Sequence, residues 1–186
     1  MEIDQLFAQY PAIATKVENE LGKIKQGKMN KKSWAASVES WDRMFPEDLQ
    51  KLNAEISSAK VYFKTMIVTS TAILIKEFNA LMCVPVRDLI WVYPQVTTQR
   101  MYFIPTAKYH YIRTVERSGD VHVVAVGQTG GFSKKPLGTD VLNEIKQVLL
   151  PARPGMFFGY SKEIENFVLG NPAAAAAQVD EKSQIQ

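Results

Sequence analysis

The hydrophobic period of this chain changes twice, and those two changes constrain its fold more than any motif it contains. Ile3, Leu6, Phe7, Tyr10, Ile13, Val17, Leu21 and Ile24 recur at spacings of three and four, the stripe of an amphipathic helix. From Lys60 onward the pattern turns to short runs rich in β-branched and aromatic residues, punctuated by turn residues and without a helical stretch between them. Parallel strands need crossovers of a dozen or more residues, so strands joined this tightly must pair antiparallel. After Thr139 the helical period returns. The order helices, strands, helices predicts an α+β protein.

Within the first 57 residues, Pro11 splits the stripe into a short first piece and a main helix. Gly27 to Lys32 reads as a basic loop, and Ser33 is placed to cap a second helix carrying Trp34, Val38 and Trp41 on one face. Pro46 suits the first position of a third helix, with Glu47 and Asp48 at its positive end. Six or seven strands follow: Val61–Val68, Ala72–Ile75, a return near Asn79–Met82, Val84–Tyr93, Arg100–Thr106, Tyr109–Glu116 and Val121–Val126. Arg117-Ser118-Gly119-Asp120 is the turn of the last hairpin. Thr139 and Ser161 are candidate caps of two closing helices. Ala173–Ala177 and the polar residues after it have little to bury, which predicts a flexible Ala-rich tail over 171–186. The expected organisation is a helical appendage over 1–58, a sheet domain over 59–170, and that tail.

Composition narrows the chemistry. One cysteine, Cys83, excludes an internal disulfide, and with two histidines it excludes a four-ligand zinc site of Cys/His type. That usage fits a reducing compartment, and the acidic N-terminus lacks the n-region and h-region of a signal peptide. The most apolar run, Met66–Ile75, is interrupted by Thr69, Ser70 and Thr71, too short and too polar to span a bilayer. The expected location is the cytoplasm. Net charge is +3, and residues 61–150 hold a positive excess, ten bases against six acids. That is far below the clustered footprint of a nucleic-acid binder.

Candidate sites are few. Gly127–Lys135 joins a strand to a helix as a phosphate loop does, but Gly131 is followed by Phe132, and Lys134-Lys135 by Pro136, so the G-x-x-x-x-G-K-[ST] spacing fails. His110 and His122 flank one hairpin; pairing about a Ser118-Gly119 turn places His110 opposite Gly127 and His122 opposite Val115, apart from each other. Cys83 lies between Met82 and Val84, a setting for an inert core thiol. No catalytic, cofactor or metal site emerges. Lys108, Arg113, Lys134 and Lys135 form a candidate anion-binding set, and Trp34 and Trp41, together with free sheet edges, a candidate surface for a protein partner or for self-association.

Three separated blocks carry a resemblance: Val84–Tyr93 with its Arg-Asp-Leu-Ile-Trp-Val-Tyr core, Phe103-Ile104-Pro105-Thr106-Ala107-Lys108, and Phe158-Gly159-Tyr160-Ser161-Lys162-Glu163-Ile164-Glu165. Their order resembles that of a family of uncharacterised bacterial proteins with a pleckstrin-homology-like fold. The resemblance implies a bent antiparallel sheet of six to seven strands closed by C-terminal helices; it implies no catalytic residue. Many members of that family place membrane-spanning segments ahead of the domain, where this chain has amphipathic helices. The leading expectation is a non-enzymatic interaction module in the bacterial cytoplasm, and the second is a domain binding an anionic small ligand, nucleotide or lipid headgroup.

Overall fold

In the computed structural model, which describes residues 2–28 and 30–184, the chain breaks inside the run Val84–Tyr93 that reads as one strand. A strand ends at Pro85, a single 3-10 turn covers Val86–Asp88, and the next strand starts at Leu89. Two units divide there, Met1–Val86 and Arg87–Gln186.

The first unit holds α1 (Ile3–Gln9), α2 (Pro11–Glu20), α3 (Lys31–Asp42) and α4 (Pro46–Glu55), then β1 (Val61–Tyr62), β2 (Met66–Val68), β3 (Ala72–Glu77) and β4 (Ala80–Pro85). Pro11 and Pro46 occupy the openings of α2 and α4, where a missing N–H costs no helical hydrogen bond. Ser33 is not a cap, because α3 begins two residues before it. Asn30 precedes that helix and anchors its approach, accepting from Gly27 N–H at 2.7 Å and donating to the Phe78 carbonyl at 2.8 Å. The four strands form an antiparallel sheet in sequence order. Its inner residues Ile67, Leu74, Leu81 and Cys83 share one core with Leu6, Ile13, Val17, Leu49, Leu52 and Trp41 of the helices. Each such aliphatic side chain contributes about 1.5–3 kcal/mol on burial.

β4 is an edge strand, and α3 closes it. Ser37 Oγ donates to the Leu81 carbonyl at 2.6 Å and accepts from Leu81 N–H at 3.2 Å, Ser40 Oγ accepts from Cys83 N–H at 2.9 Å, and Trp41 Nε1 donates to the Leu81 carbonyl at 2.8 Å. Helix side chains thus take the hydrogen bonds that a fifth strand would otherwise claim.

The second unit holds β5 (Leu89–Met101), β6 (Ile104–Glu116), β7 (Val121–Gly130), α5 (Leu137–Ala152), β8 (Phe157–Phe158), α6 (Lys162–Gly170) and α7 (Pro172–Gln184). Its sheet has the order β7-β6-β5-β8, with β8 parallel to β5. The expected single bent sheet of six to seven strands is therefore replaced by two four-stranded sheets. The boundary expected at residue 58 moves accordingly, because the apolar stripe of the N-terminal helices needs the inner face of β1–β4 to cover it. The two-residue turn between β5 and β6 falls at Tyr102-Phe103, inside the run Arg100–Thr106 that reads as a single strand.

α5 packs on one face of β5–β7 through Val141, Leu142, Ile145 and Leu149, while α6 and α7 cover part of the other face. Ser161 does cap α6, accepting from Ile164 N–H at 3.1 Å. Trp91 and Tyr93 stack with centroids 3.9 Å apart, Tyr160 lies 6.2 Å from Trp91, and Trp91 Nε1 donates to the Gly159 carbonyl at 2.6 Å. Two of the resemblance blocks thus meet in one aromatic cluster.

The Ala-rich segment is not a loose tail over its described length. Alanine has the highest helix propensity, and its small side chain allows close approach. Ala175, Ala176 and Val179 of α7 are buried against Trp91 and Tyr93. Arg153 fixes the helix, with its Nη2 2.6 Å from Asp180 Oδ1 and its Nε donating to the Leu89 carbonyl at 2.8 Å. Residues 185–186 of the expected tail lie outside the described residues.

Candidate anion site at the start of helix α5

The register of the β6–β7 hairpin decides where its two histidines go. Near the turn Thr114 faces His122 and Val115 faces Val121, one step away from the pairing expected for a two-residue turn. A bulge at His110/Tyr111 restores the expected pairing farther along, so His110 does face Gly127. His122 instead lies with its Nε2 2.6 Å from Glu116 Oε1, beside the turn. The histidines do not meet, and among the described residues no group of three His, Cys, Asp or Glu side chains could hold a metal ion.

His110 is 3% exposed. Its Nε2 shares a 2.9 Å hydrogen bond with Thr129 Oγ1, and its Nδ1 is buried without a partner. Nδ1 faces the first turn of α5, 3.9 Å from the point where a Cβ on Gly138 would sit. A Cβ there would also stand 3.3 Å from Pro94 Cβ, so glycine keeps this contact open. Burial and the neighbouring Lys108 ammonium hold His110 below the ordinary imidazole range.

Around that imidazole lies a groove of about 330 Å³ lined by Pro94, Val96, Lys108, His110, Ser133–Pro136, Gly138 and Thr139. Thr139 does not cap α5. The helix starts two residues earlier, Pro136 stands at the cap position, and no side chain accepts from the first turn. The first N–H groups of a helix have no intrahelical acceptor, and the helix dipole adds positive potential at that end. Lys108 Nζ donates to the Ser133 carbonyl at 2.6 Å and Lys135 N–H donates to Ser133 Oγ at 3.2 Å, which folds the β7–α5 connection over the groove.

Three members of the basic set therefore line one groove: Lys108, Lys134 and Lys135. Arg113 does not join them. Side chains alternate along β6, so Arg113 points to the opposite face, where its Nε donates to Gln95 Oε1 at 2.6 Å. Strand alternation does not by itself mark His110 as buried. Its one available signal was the small residue opposite it, Gly127, with a second glycine, Gly138, at the start of the covering helix.

The other candidate surface is interior. Trp34 and Trp41 are buried in the core of the first unit, and the β4 edge is closed by α3. Cys83 is buried in the same core, as its apolar flanks suggest. Among the described residues no helix is long and apolar enough to cross a membrane. The chain matches no family model, no curated protein and no solved structure.

Proposed function

We infer that the second unit is a non-enzymatic binding module for an anionic ligand, a phosphate ester being the chemistry its groove suits best. The observation that carries this reading is the buried, unpartnered Nδ1 of His110 facing the uncapped start of α5, with three lysines around it. A helix start supplies backbone N–H donors to a tetrahedral oxyanion, and lysines supply charge from the solvent side. With the Thr129 hydroxyl donating to Nε2, Nδ1 carries the proton and becomes one more donor. On this reading the unit is the PH-like part of the chain and works in the bacterial cytoplasm. A protein-partner reading loses Trp34 and Trp41 and the β4 edge, and keeps only the remaining sheet edges.

The test is a nuclear magnetic resonance titration of the full chain with glycerol 3-phosphate. The Gly138 and Thr139 amides and the His110 ring should shift together. Lys134 and Lys135 each act at about 1 kcal/mol in a water-like dielectric, so Lys134→Ala/Lys135→Ala should weaken binding about thirtyfold. Unmoved Gly138 and Thr139 signals, or an affinity indifferent to both lysines, would sink the reading.

A further inference from the structure

The β5–β6 hairpin ends in a shape that neither core packing nor turn chemistry requires. Its two-residue loop is Tyr102-Phe103, with Met101 paired to Ile104 on either side. Both loop residues have positive φ, 48° and 69°, a conformation that two-residue hairpins reach most readily with Asn-Gly. Here two aromatic residues occupy it, at a steric cost that a β-carbon always brings. They bury almost nothing in return: Tyr102 is 89% exposed and Phe103 96%, and Met101 and Ile104 are exposed beside them.

A second apolar residue set stands next to this tip. Ala107 pairs with Gly130, so the end of β7 lies beside the start of β6. Gly131 then presses its backbone against Pro105, where a Cβ would come within 2.1 Å of the Pro105 carbonyl oxygen. That contact sets Phe132, 76% exposed, at the same end of the sheet as Tyr102 and Phe103.

Charge at this end has one sign. No acid occurs from Leu89 to Val115 or from Val121 to Thr139. Arg100, Lys108, Lys134 and Lys135 lie in these segments with no carboxylate among them, and the acid nearest the lysine pair in sequence is Asp140, in the first turn of α5. Glu116 and Asp120 sit at the other end of β6–β7. A projecting point of Met, Tyr, Phe and Ile with a cationic collar suits a soft interface: aromatic rings and a phenol favour the headgroup level, and lysine and arginine are drawn to anionic lipid.

We propose that the Met101–Ile104 tip, with Phe132, inserts into the headgroup boundary of an anionic phospholipid bilayer, and that the anion taken by the α5 groove is a lipid phosphate. The proposal rests on the anion-binding reading of that groove and names the source of its ligand. The occupant is a bilayer rather than a protein because the patch is exposed, contiguous in sequence over Met101–Ile104, and flanked along β5, β6, β7 and the β7–α5 connection by bases without acids. Strand geometry fits: Lys108 pairs with Thr98, three residues from Met101, about 10 Å behind the tip.

The experiment is flotation of the full chain with phosphatidylcholine vesicles, with and without phosphatidylserine, beside the glycerol 3-phosphate titration. Tyr102→Asn/Phe103→Gly removes the aromatic tip while supplying residues the loop conformation favours, so it should fold at least as well as the parent. The parent chain should float with phosphatidylserine vesicles and not with phosphatidylcholine alone. The tip variant should lose vesicle binding by about tenfold or more while its glycerol 3-phosphate shifts stay unchanged. Lys134→Ala/Lys135→Ala should lose both. A tip variant that floats like the parent would overturn the proposal, as would a parent that ignores phosphatidylserine vesicles yet binds glycerol 3-phosphate; the latter leaves the groove with a soluble ligand. Failure of the titration as well would remove the groove reading itself. Self-association without lipid that the tip variant abolishes would also overturn the proposal and give the tip to a second copy.

Discussion

Closure of the β4 edge by α3 is the feature of the first unit most open to a quantitative test. Ser37 and Ser40 lie one turn apart on α3 and meet alternate residues of β4. Ser37→Ala removes both hydrogen bonds to Leu81. The Leu81 carbonyl keeps the Trp41 indole, so the net damage is a buried N–H deprived of its acceptor, about 1–3 kcal/mol. Ser40→Ala removes the acceptor of Cys83 N–H in the same core and should cost a similar amount. The double variant should then lose about 2–6 kcal/mol, a large part of a typical domain's 5–15 kcal/mol. Ser58→Ala is the control: its hydroxyl makes one exposed bond to the Glu55 carbonyl, and the effect should stay within about 0.5 kcal/mol. Urea unfolding read by tryptophan fluorescence reports the change, since Trp34 and Trp41 both lie in this core. Amide exchange at Leu81 and Cys83 should accelerate in the same variants. An opened edge should also pair with other chains, seen as concentration-dependent self-association. A double variant that melts within about 0.5 kcal/mol of the parent, with Leu81 and Cys83 still protected, would refute the account of the edge.

Two further outcomes follow from the second unit. His110 is the imidazole of the groove, lined also by Lys108, Lys134 and Lys135, and burial together with the Lys108 ammonium holds it below the ordinary imidazole range. A bound anion favours the imidazolium; affinity for sulfate, whose charge is constant here, should therefore rise as pH falls through and below about 6.5, and His110→Gln should flatten that profile. Without an anion the sign reverses. The unfolded chain takes the proton first, so His110's contribution to stability is full above about 6.5 and declines as pH drops below it. Asp180→Asn should free α7, because Arg153, 7% exposed, loses its carboxylate partner; the cost is about 1.5–3 kcal/mol, with faster tryptic cleavage at Lys182. Unchanged cleavage would mean that Ala175, Ala176 and Val179, with the Gly155 N–H bond to Ser183 Oγ, hold the helix without the carboxylate.

Most of the local structure was legible because it depends on spacing and on single residues. The apolar stripe of α1 and α2, the prolines that open α2 and α4, the Ser161 cap and the antiparallel connections all follow from neighbours in sequence. The break after Pro85 was visible only as a proline inside an apolar run, and the turn at Tyr102-Phe103 carried no glycine, proline or asparagine to announce it. Charge alone marks Lys108, Lys134 and Lys135 in the sequence, and they converge only because the start of α5 lies beside β6.

What the sequence determined by itself is the succession of helix, strand and helix, the excess of bases in its middle, and the exclusion of an internal disulfide and of a four-ligand Cys/His zinc site, since each depends on residue type and period. Tertiary structure alone decided that four strands side with the N-terminal helices, that an alanine run becomes a packed helix, that Trp34 and Trp41 are interior, and that a buried histidine faces a helix start. Those outcomes depend on which apolar faces find each other over long sequence separations, and on a bulge at His110 that shifts a register by one residue.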